Sequence, residues 1–224
     1  MHKTEHVSHG AEAIKDRLLK VGARMAADGL VVGTWGNLSA RLPGEDLFVI
    51  TPSGMPYDVL VKTDLVLLDL AGRVIEGDRK PSTELLLHTA IYSACPRAGA
   101  IVHSHSIYAS ALAVARRALP PILEEQVQLV GGAVPLARYA RAGTADLAAA
   151  AVQALGQSKA VLLANHGLVG VGSTLEEAYQ VCLVVEKAAR VYILAELIGQ
   201  AAVIPPGEVA AIKKDFLTGY GQQE

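Results

Sequence analysis

The sequence predicts a single α/β domain built on a largely antiparallel sheet with flanking helices. Three observations carry that reading. Hydrophobic residues make up 51% of the 224 positions and aromatics only 4%, which is ample Ala, Val and Leu for a real core and too much for a disordered chain. Short runs with strand-like character mix along the chain with stretches of helical period, and several strand pairs are joined by a tight turn, as antiparallel pairing allows. No internal repeat, linker or low-complexity segment interrupts the pattern, so residues 11–224 read as one domain after a polar, disordered tail at 1–10.

Taken in order, Ile14, Leu18, Val21 and Met25 recur at helical spacing and predict an amphipathic helix over 11–28, stopped by Gly29. Gly33-Thr34-Trp35-Gly36-Asn37 is a glycine-bracketed turn that leads into strand-like alternation. Leu47-Phe48-Val49-Ile50-Thr51 reads as a strand, ended by Pro52-Ser53-Gly54. Runs at 65–70 and 73–76 flank Ala71-Gly72 and predict a hairpin. Pro81-Ser82-Thr83-Glu84 opens a helix to Ala94, with hydroxyls at the cap and a carboxylate in the first turn.

A strand over 98–103 follows, then a helix over 106–117. The Pro- and Gly-rich segment 120–137 predicts short strands at 127–129 and 134–136. Thr144 caps an alanine-rich helix ending at Leu155. Residues 160–165 and 168–171 form a second hairpin, and Ser173-Thr174 caps the longest helix, 175–199. Pro205-Pro206 separates it from a last helix over 208–217.

Composition narrows the function. A net charge of -2, with basic residues only in short pairs such as Arg116-Arg117, leaves no electrostatic footprint for nucleic acid. Two cysteines, Cys95 and Cys182, sit in apolar helical patterns and suit a reducing compartment. No apolar leader and no uninterrupted run of ~18 apolar residues occur, so a cytoplasmic chain without membrane contact is expected.

The chemistry concentrates at Val102-His103-Ser104-His105, where a strand ends. Two histidines two residues apart leave a strand on the same side, and His166 ends a second apolar run in an equivalent position. Neutral imidazoles suit Zn2+, and three protein ligands leave room for a substrate or water, although a histidine near a strand end can equally be structural. Glu84 is either a charge partner of its helix N-terminus or, close to a metal, a ligand and general base. His88, one turn along, is either a satisfied core histidine or an assistant to that site. Gly36-Asn37, Ser53-Gly54 and Ser82-Thr83 are each ordinary turns alone but together equip an anion site suited to a small phosphorylated molecule. Lys159, at a turn, is the one lysine placed before an apolar strand, a poor position for a Schiff base.

The set Gly33-Thr-Trp-Gly-Asn-Leu-Ser39, Thr51-Pro-Ser-Gly54, Pro81-Ser-Thr-Glu84, His103-Ser-His105 and Asn165-His-Gly167 resembles the zinc-dependent class II aldolase/adducin family, in order and over residues 11–221. The resemblance implies a three-layer α/β/α sandwich with a mainly antiparallel central sheet. It also implies one Zn2+ per subunit, or another divalent metal, held by His103, His105 and His166, with Glu84 as catalytic acid/base. Gly36, Asn37, Ser53, Gly54, Ser82 and Thr83 match positions that hold a substrate phosphate, and Tyr220 matches a tyrosine that assists proton transfer. Members are usually homotetramers with active sites at subunit boundaries.

The activity so implied is reversible cleavage of a ketose 1-phosphate to dihydroxyacetone phosphate and an aldehyde, with fuculose, rhamnulose and 5-deoxypentulose phosphates all open as substrates. A pentulose-phosphate 4-epimerase, a sugar-phosphate dehydratase or decarboxylase, and a non-catalytic adducin-like module are the alternatives within the fold. One departure stands out: counted from Pro120, Glu124 takes the place where one member of the family carries a tyrosine on the aldehyde side. It is an aldehyde-side residue or a surface charge.

Overall fold

The computed structural model describes residues 2–219. Its strands are β1 (Asn37–Arg41), β2 (Leu47–Ile50), β3 (Val66–Asp69), β4 (Val74–Glu76), β5 (Ala100–Ser104), β6 (Leu136–Ala137), β7 (Ala160–Leu163) and β8 (Gly167–Gly172). They form an 8-stranded sheet in the order β4-β3-β2-β1-β5-β8-β7-β6. Every neighbouring pair is antiparallel except β6 with β7. Both predicted hairpins are present, as β3–β4 and β7–β8.

The helices are α1 (His2–Ala27), α2 (Leu85–Ala94), α3 (Ile107–Val114), α4 (Glu124–Val130), α5 (Ala145–Leu155), α6 (Leu175–Ile198) and α7 (Pro206–Gly219). Strand alternation sends side chains to two cores, one on each face of the sheet. Leu38, Ala40, Val49, Ala100, Val102, Leu162 and Leu168 join residues of α1, α3 and α6 on one face. Phe48, Ile50, Val66, Ile101, Val161, Leu163 and Val169 join α2 and α5 on the other. The result is the α/β/α sandwich, with helix layers covering both apolar faces. Threonine caps start two of these helices as predicted: Leu147 N donates to Thr144 Oγ1 and Glu177 N to Thr174 Oγ1, both at 3.2 Å.

Three expectations change. The first helix begins at His2 and so takes in most of the stretch read as a tail, because its first turns carry no apolar stripe for periodicity to detect. Residues 127–129 lie in helix α4, not in a strand. A short apolar run has no period of its own, and here the surrounding chain selects the helix: Gln126 Nε2 donates to the carbonyls of Pro120 and Gly132, both at 3.0 Å. The α2 helix starts at Leu85, and Glu84 itself is the N-cap, making no side-chain capping bond. That leaves its carboxylate for other work. No helix among the described residues is long and apolar enough to cross a membrane.

Candidate active site

Four elements deliver the predicted residues to one end of β1 and β5. β5 carries His103, and His105 follows two residues on, just before α3. The β1–β5 register sets Asn37 opposite His103. Immediately before β1, Gly36 holds φ at +81°, and a Cβ there would come within 2.7 Å of the His103 carbonyl oxygen, so the position needs glycine for conformation and for space. His166 arrives in the β7–β8 turn, where Asn165 adopts the left-handed conformation (φ 56°) that asparagine tolerates. The following Gly167 lets β8 close against β5, since a Cβ would lie 2.3 Å from the Ser104 oxygen. Glu84 stands at the start of α2, which packs on the same face of the sheet as Ile101.

The four side chains converge. His103 Nε2 is 2.9 Å from His105 Nε2 and 3.2 Å from His166 Nε2. Glu84 Oε2 lies 2.9 Å from His103 Nε2, and Oε1 lies 3.3 Å from His166 Nε2. One ligand atom from each of the four fits within a 4.8 Å cluster. The chemistry of this donor set suits a divalent cation. His103 Nδ1 donates to the Leu168 carbonyl at 3.0 Å, which turns the Nε2 lone pair toward the cluster in the neutral ring. Glu84 Oε1 is buried with no hydrogen-bond partner, an arrangement a cation would relieve.

Without a metal, charge divides unevenly over the cluster. Burial pushes His105 down to about 3 and His166 to about 4, with the neighbouring His103 adding to both shifts. Burial also opposes charge on His103, but the Glu84 carboxylate beside it raises its pKa. Burial opposes charge on Glu84 too, yet His103, His166 and the Asn37 amide hold it well below the usual carboxylate range.

A cavity of about 420 Å³ opens over Glu84, His105 and His166. Gly36, Asn37, Ser53, Gly54, Ser82 and Thr83 all line it, so the three predicted anion-holding turns share one wall. A backbone bridge between Pro52 and Pro81 draws two of them together, with Ser53 N donating to Lys80 O at 3.0 Å and Ser82 N to Thr51 O at 3.1 Å. Thr34, Trp35 and Ala142 line it as well, and sequence reasoning did not single them out; the first two stand in the glycine-bracketed turn that already held Gly36. A larger hollow, about 790 Å³, lies at the other end of β1 and β5 beside Arg41, Asp46 and Arg97, and it has no convergent histidines among its lining.

One predicted site residue stands apart. Glu124 is exposed in the first turn of α4 and does not line the cavity. Tyr220 lies outside the described residues. Lys159 is paired with Glu177 at 2.6 Å and is not part of the cavity wall.

Comparison with known proteins agrees with this geometry. Over 209 residues, covering 93% of this chain and 97% of the relative, the sequence is 37% identical to 5-deoxy-D-ribulose 1-phosphate aldolase of Bacillus thuringiensis. It is 36% identical to L-fuculose phosphate aldolase of Escherichia coli over 194 residues, covering 86% and 88% of the two chains. A solved structure of L-fuculose 1-phosphate aldolase superposes with a TM-score of 0.89 at 36% identity, covering 92% of this chain and 96% of that one. The sequence profile described as "Class II Aldolase and Adducin N-terminal domain" matches residues 16–193, a span that holds the three histidines, Glu84 and the three turns. By sequence, by fold and by the residues gathered at one end of its sheet, the chain belongs to the class II aldolase and adducin family.

Proposed function

We propose that the chain is a metal-dependent class II aldolase that reversibly cleaves a ketose 1-phosphate to dihydroxyacetone phosphate and an aldehyde. The observation that carries this is the convergence of Glu84 with three histidine Nε2 atoms beside a cavity walled by three anion-holding turns. His103, His105 and His166 would hold the metal, with Zn2+ the ion proposed for this nitrogen-rich set. When bound it supplies Lewis-acid stabilisation of negative charge developing on the substrate oxygens.

The protein's own groups do the rest. Gly36, Ser53, Gly54, Ser82 and Thr83 hold the phosphate and so fix the sugar's orientation, using binding energy remote from the reacting bond. Asn37 lines the same wall, but its side-chain amide is engaged inside the protein. In cleavage the bond between the third and fourth carbons breaks, and the electron pair stays on the third carbon. The hydroxyl on the fourth carbon gives its proton to the ionised Glu84 carboxylate as it becomes the aldehyde, and Glu84 passes that proton to the third carbon. Condensation reverses each transfer, with Glu84 as the base. Tyr220 is proposed to assist proton transfer, as the family likeness implies.

Deoxy-ketose 1-phosphates are the proposed substrate class, given the 5-deoxyribulose and fuculose phosphate aldolases among the relatives. Residues 11–224 are proposed to act as one domain of a cytoplasmic homotetramer. The exposed apolar end of α6, with Leu194, Leu197 and Ile198, supports assembly. In that assembly Glu124 would serve the aldehyde side from a subunit boundary. The test is incubation of the zinc-loaded protein with a panel of ketose 1-phosphates, coupled to detection of dihydroxyacetone phosphate. Release of triose phosphate is expected; epimerisation or dehydration without it would replace this reading.

A further inference from the structure

Glu84, His88 and Tyr92 recur every four residues along the start and first turns of α2, while Asn37 and Ser39 recur every two along β1. Helical and strand periods therefore set the two rows face to face, and they interlock by hydrogen bonds. Tyr92 OH is 2.7 Å from Ser39 Oγ, and Ser39 Oγ is 2.6 Å from His88 Nδ1. His88 Nε2 is 2.5 Å from Asn37 Oδ1, and Asn37 Nδ2 donates to Glu84 Oε2 at 3.0 Å. Only the last link touches the cluster of ligating residues, at the Glu84 carboxylate.

The direction of the chain follows from what each atom can do. An ionised carboxylate only accepts, so the Asn37 amide must present NH2 to Glu84 and its oxygen to His88. That oxygen in turn requires a proton on His88 Nε2. Burial pushes His88 down to about 3, so the ring is neutral at ordinary pH and Nδ1 is left as an acceptor. Ser39 donates to it, and Tyr92 donates to Ser39. Every donor thus points the same way, toward Glu84.

We propose that Tyr92, Ser39, His88 and Asn37 are positioning residues that hold the Glu84 carboxylate in its proton-transferring orientation, and that the Asn37 side chain acts through Glu84, not on the substrate phosphate. The chain does not conduct protons to solvent. Ser39 and His88 are fully buried and Tyr92 is 1% exposed, so the far end is closed. Its amide link also has no free proton to pass on. An apolar contact would pack α2 on β1 without the cost of desolvating five polar groups, so a role in packing alone leaves the arrangement unexplained.

The inference rests on the aldolase reading, and the experiment separates the two. Hydrogen exchange at the third carbon of dihydroxyacetone phosphate, measured in D2O without aldehyde, isolates the proposed proton transfer at Glu84. For His88→Leu we expect exchange and kcat for cleavage to fall together by about 10–100-fold, the range for residues that orient a site's working groups, with KM and metal content unchanged. His88→Gln, whose amide can occupy the Nε2 place and donate to Asn37, restores most of the loss. Should the leucine variant fail to fold, Tyr92→Phe carries the test: lowered kcat at unchanged KM supports the chain, and unchanged kcat overturns it.

Folded His88→Leu that exchanges and turns over like the unmutated enzyme overturns the proposal, as does a fall confined to KM. Unmutated, metal-loaded protein that neither exchanges nor cleaves overturns the aldolase reading instead, and the inference with it. A readout independent of activity is the 15N spectrum of histidine-labelled, metal-free protein. A His88 proton on Nε2 is expected; one on Nδ1 overturns the direction of the chain.

Discussion

Leu38, Ala40, Ala100 and Val102 leave one face of β1 and β5 and enter an apolar core; Asn37, Ser39 and His103 leave the other face and are equally buried. The two sets alternate residue by residue along the same strands, so neither burial nor backbone distinguishes them. What differs is the helix opposite. On the first face α1, α3 and α6 present hydrocarbon. On the second, α2 adds Glu84, His88 and Tyr92 to its apolar residues, and the buried polar atoms they share with Asn37 and Ser39 are hydrogen-bonded, Glu84 Oε1 excepted. The apolar face sets stability through volume, whereas the polar face sets chemistry through direction, because hydrogen bonds and ligand atoms have orientation and methyl groups do not.

Substitutions can break that contrast, and the largest effect is expected on the polar face. His103→Ala should lose metal and activity together, since the other three ligating atoms all gather around His103 Nε2; metal analysis beside a cleavage assay checks both. Glu84→Gln should keep the metal, as three histidines remain, and lose about 10²–10⁴-fold in turnover, the usual contribution of a positioned acid/base. A variant that turned over normally would remove Glu84 from its proposed role.

The apolar face should answer in a different currency. Leu38→Ala empties a fully buried site and is expected to cost about 2–5 kcal/mol in a urea unfolding experiment, with metal content and KM unchanged in the folded fraction. Loss of metal at full folding would show that the two faces are coupled.

The smallest effect sharpens the comparison through pH. His88 titrates at about 3 in the folded protein against an ordinary value of 6.5, so the unfolded state binds the extra proton first. Stability from this group is complete above pH 6.5 and falls by about 1.4 kcal/mol per pH unit as pH drops toward the folded value. The shifts of His105, His166 and Glu84 share that sign, and the raised His103 opposes it in the metal-free protein. Urea midpoints of chelator-treated protein at pH 7 and pH 5, compared with those of His88→Leu, isolate this group: the unmutated protein should lose more stability between the two pH values than the variant, and an equal loss would contradict a neutral, buried His88.

Much of the site is legible in the order of residues alone. Strand period sets His103 and His105 on one side of a strand, and the Pro-Ser-Thr prelude places Glu84 at a helix start. His88 is visible there only as a neighbour one turn from Glu84. Its partners, Asn37 and Ser39, lie 51 and 49 residues away, and the β1–α2 packing that pairs them has no local signature. The 127–129 segment misleads for the same reason, since its helix is held by Gln126 reaching across its own loop.

The sequence by itself determined the alternating faces, the hairpins, the capped helices and the kinds of ligating atoms available, because each depends on neighbours within a few residues. Tertiary structure alone decided that His166 reaches His103 across 63 residues, that three separate turns share one cavity wall, and that the Asn37 amide faces Glu84. Those outcomes depend on strand order and on the approach allowed at Gly36 and Gly167, and hydrogen-bond direction emerges only once all the partners are in place.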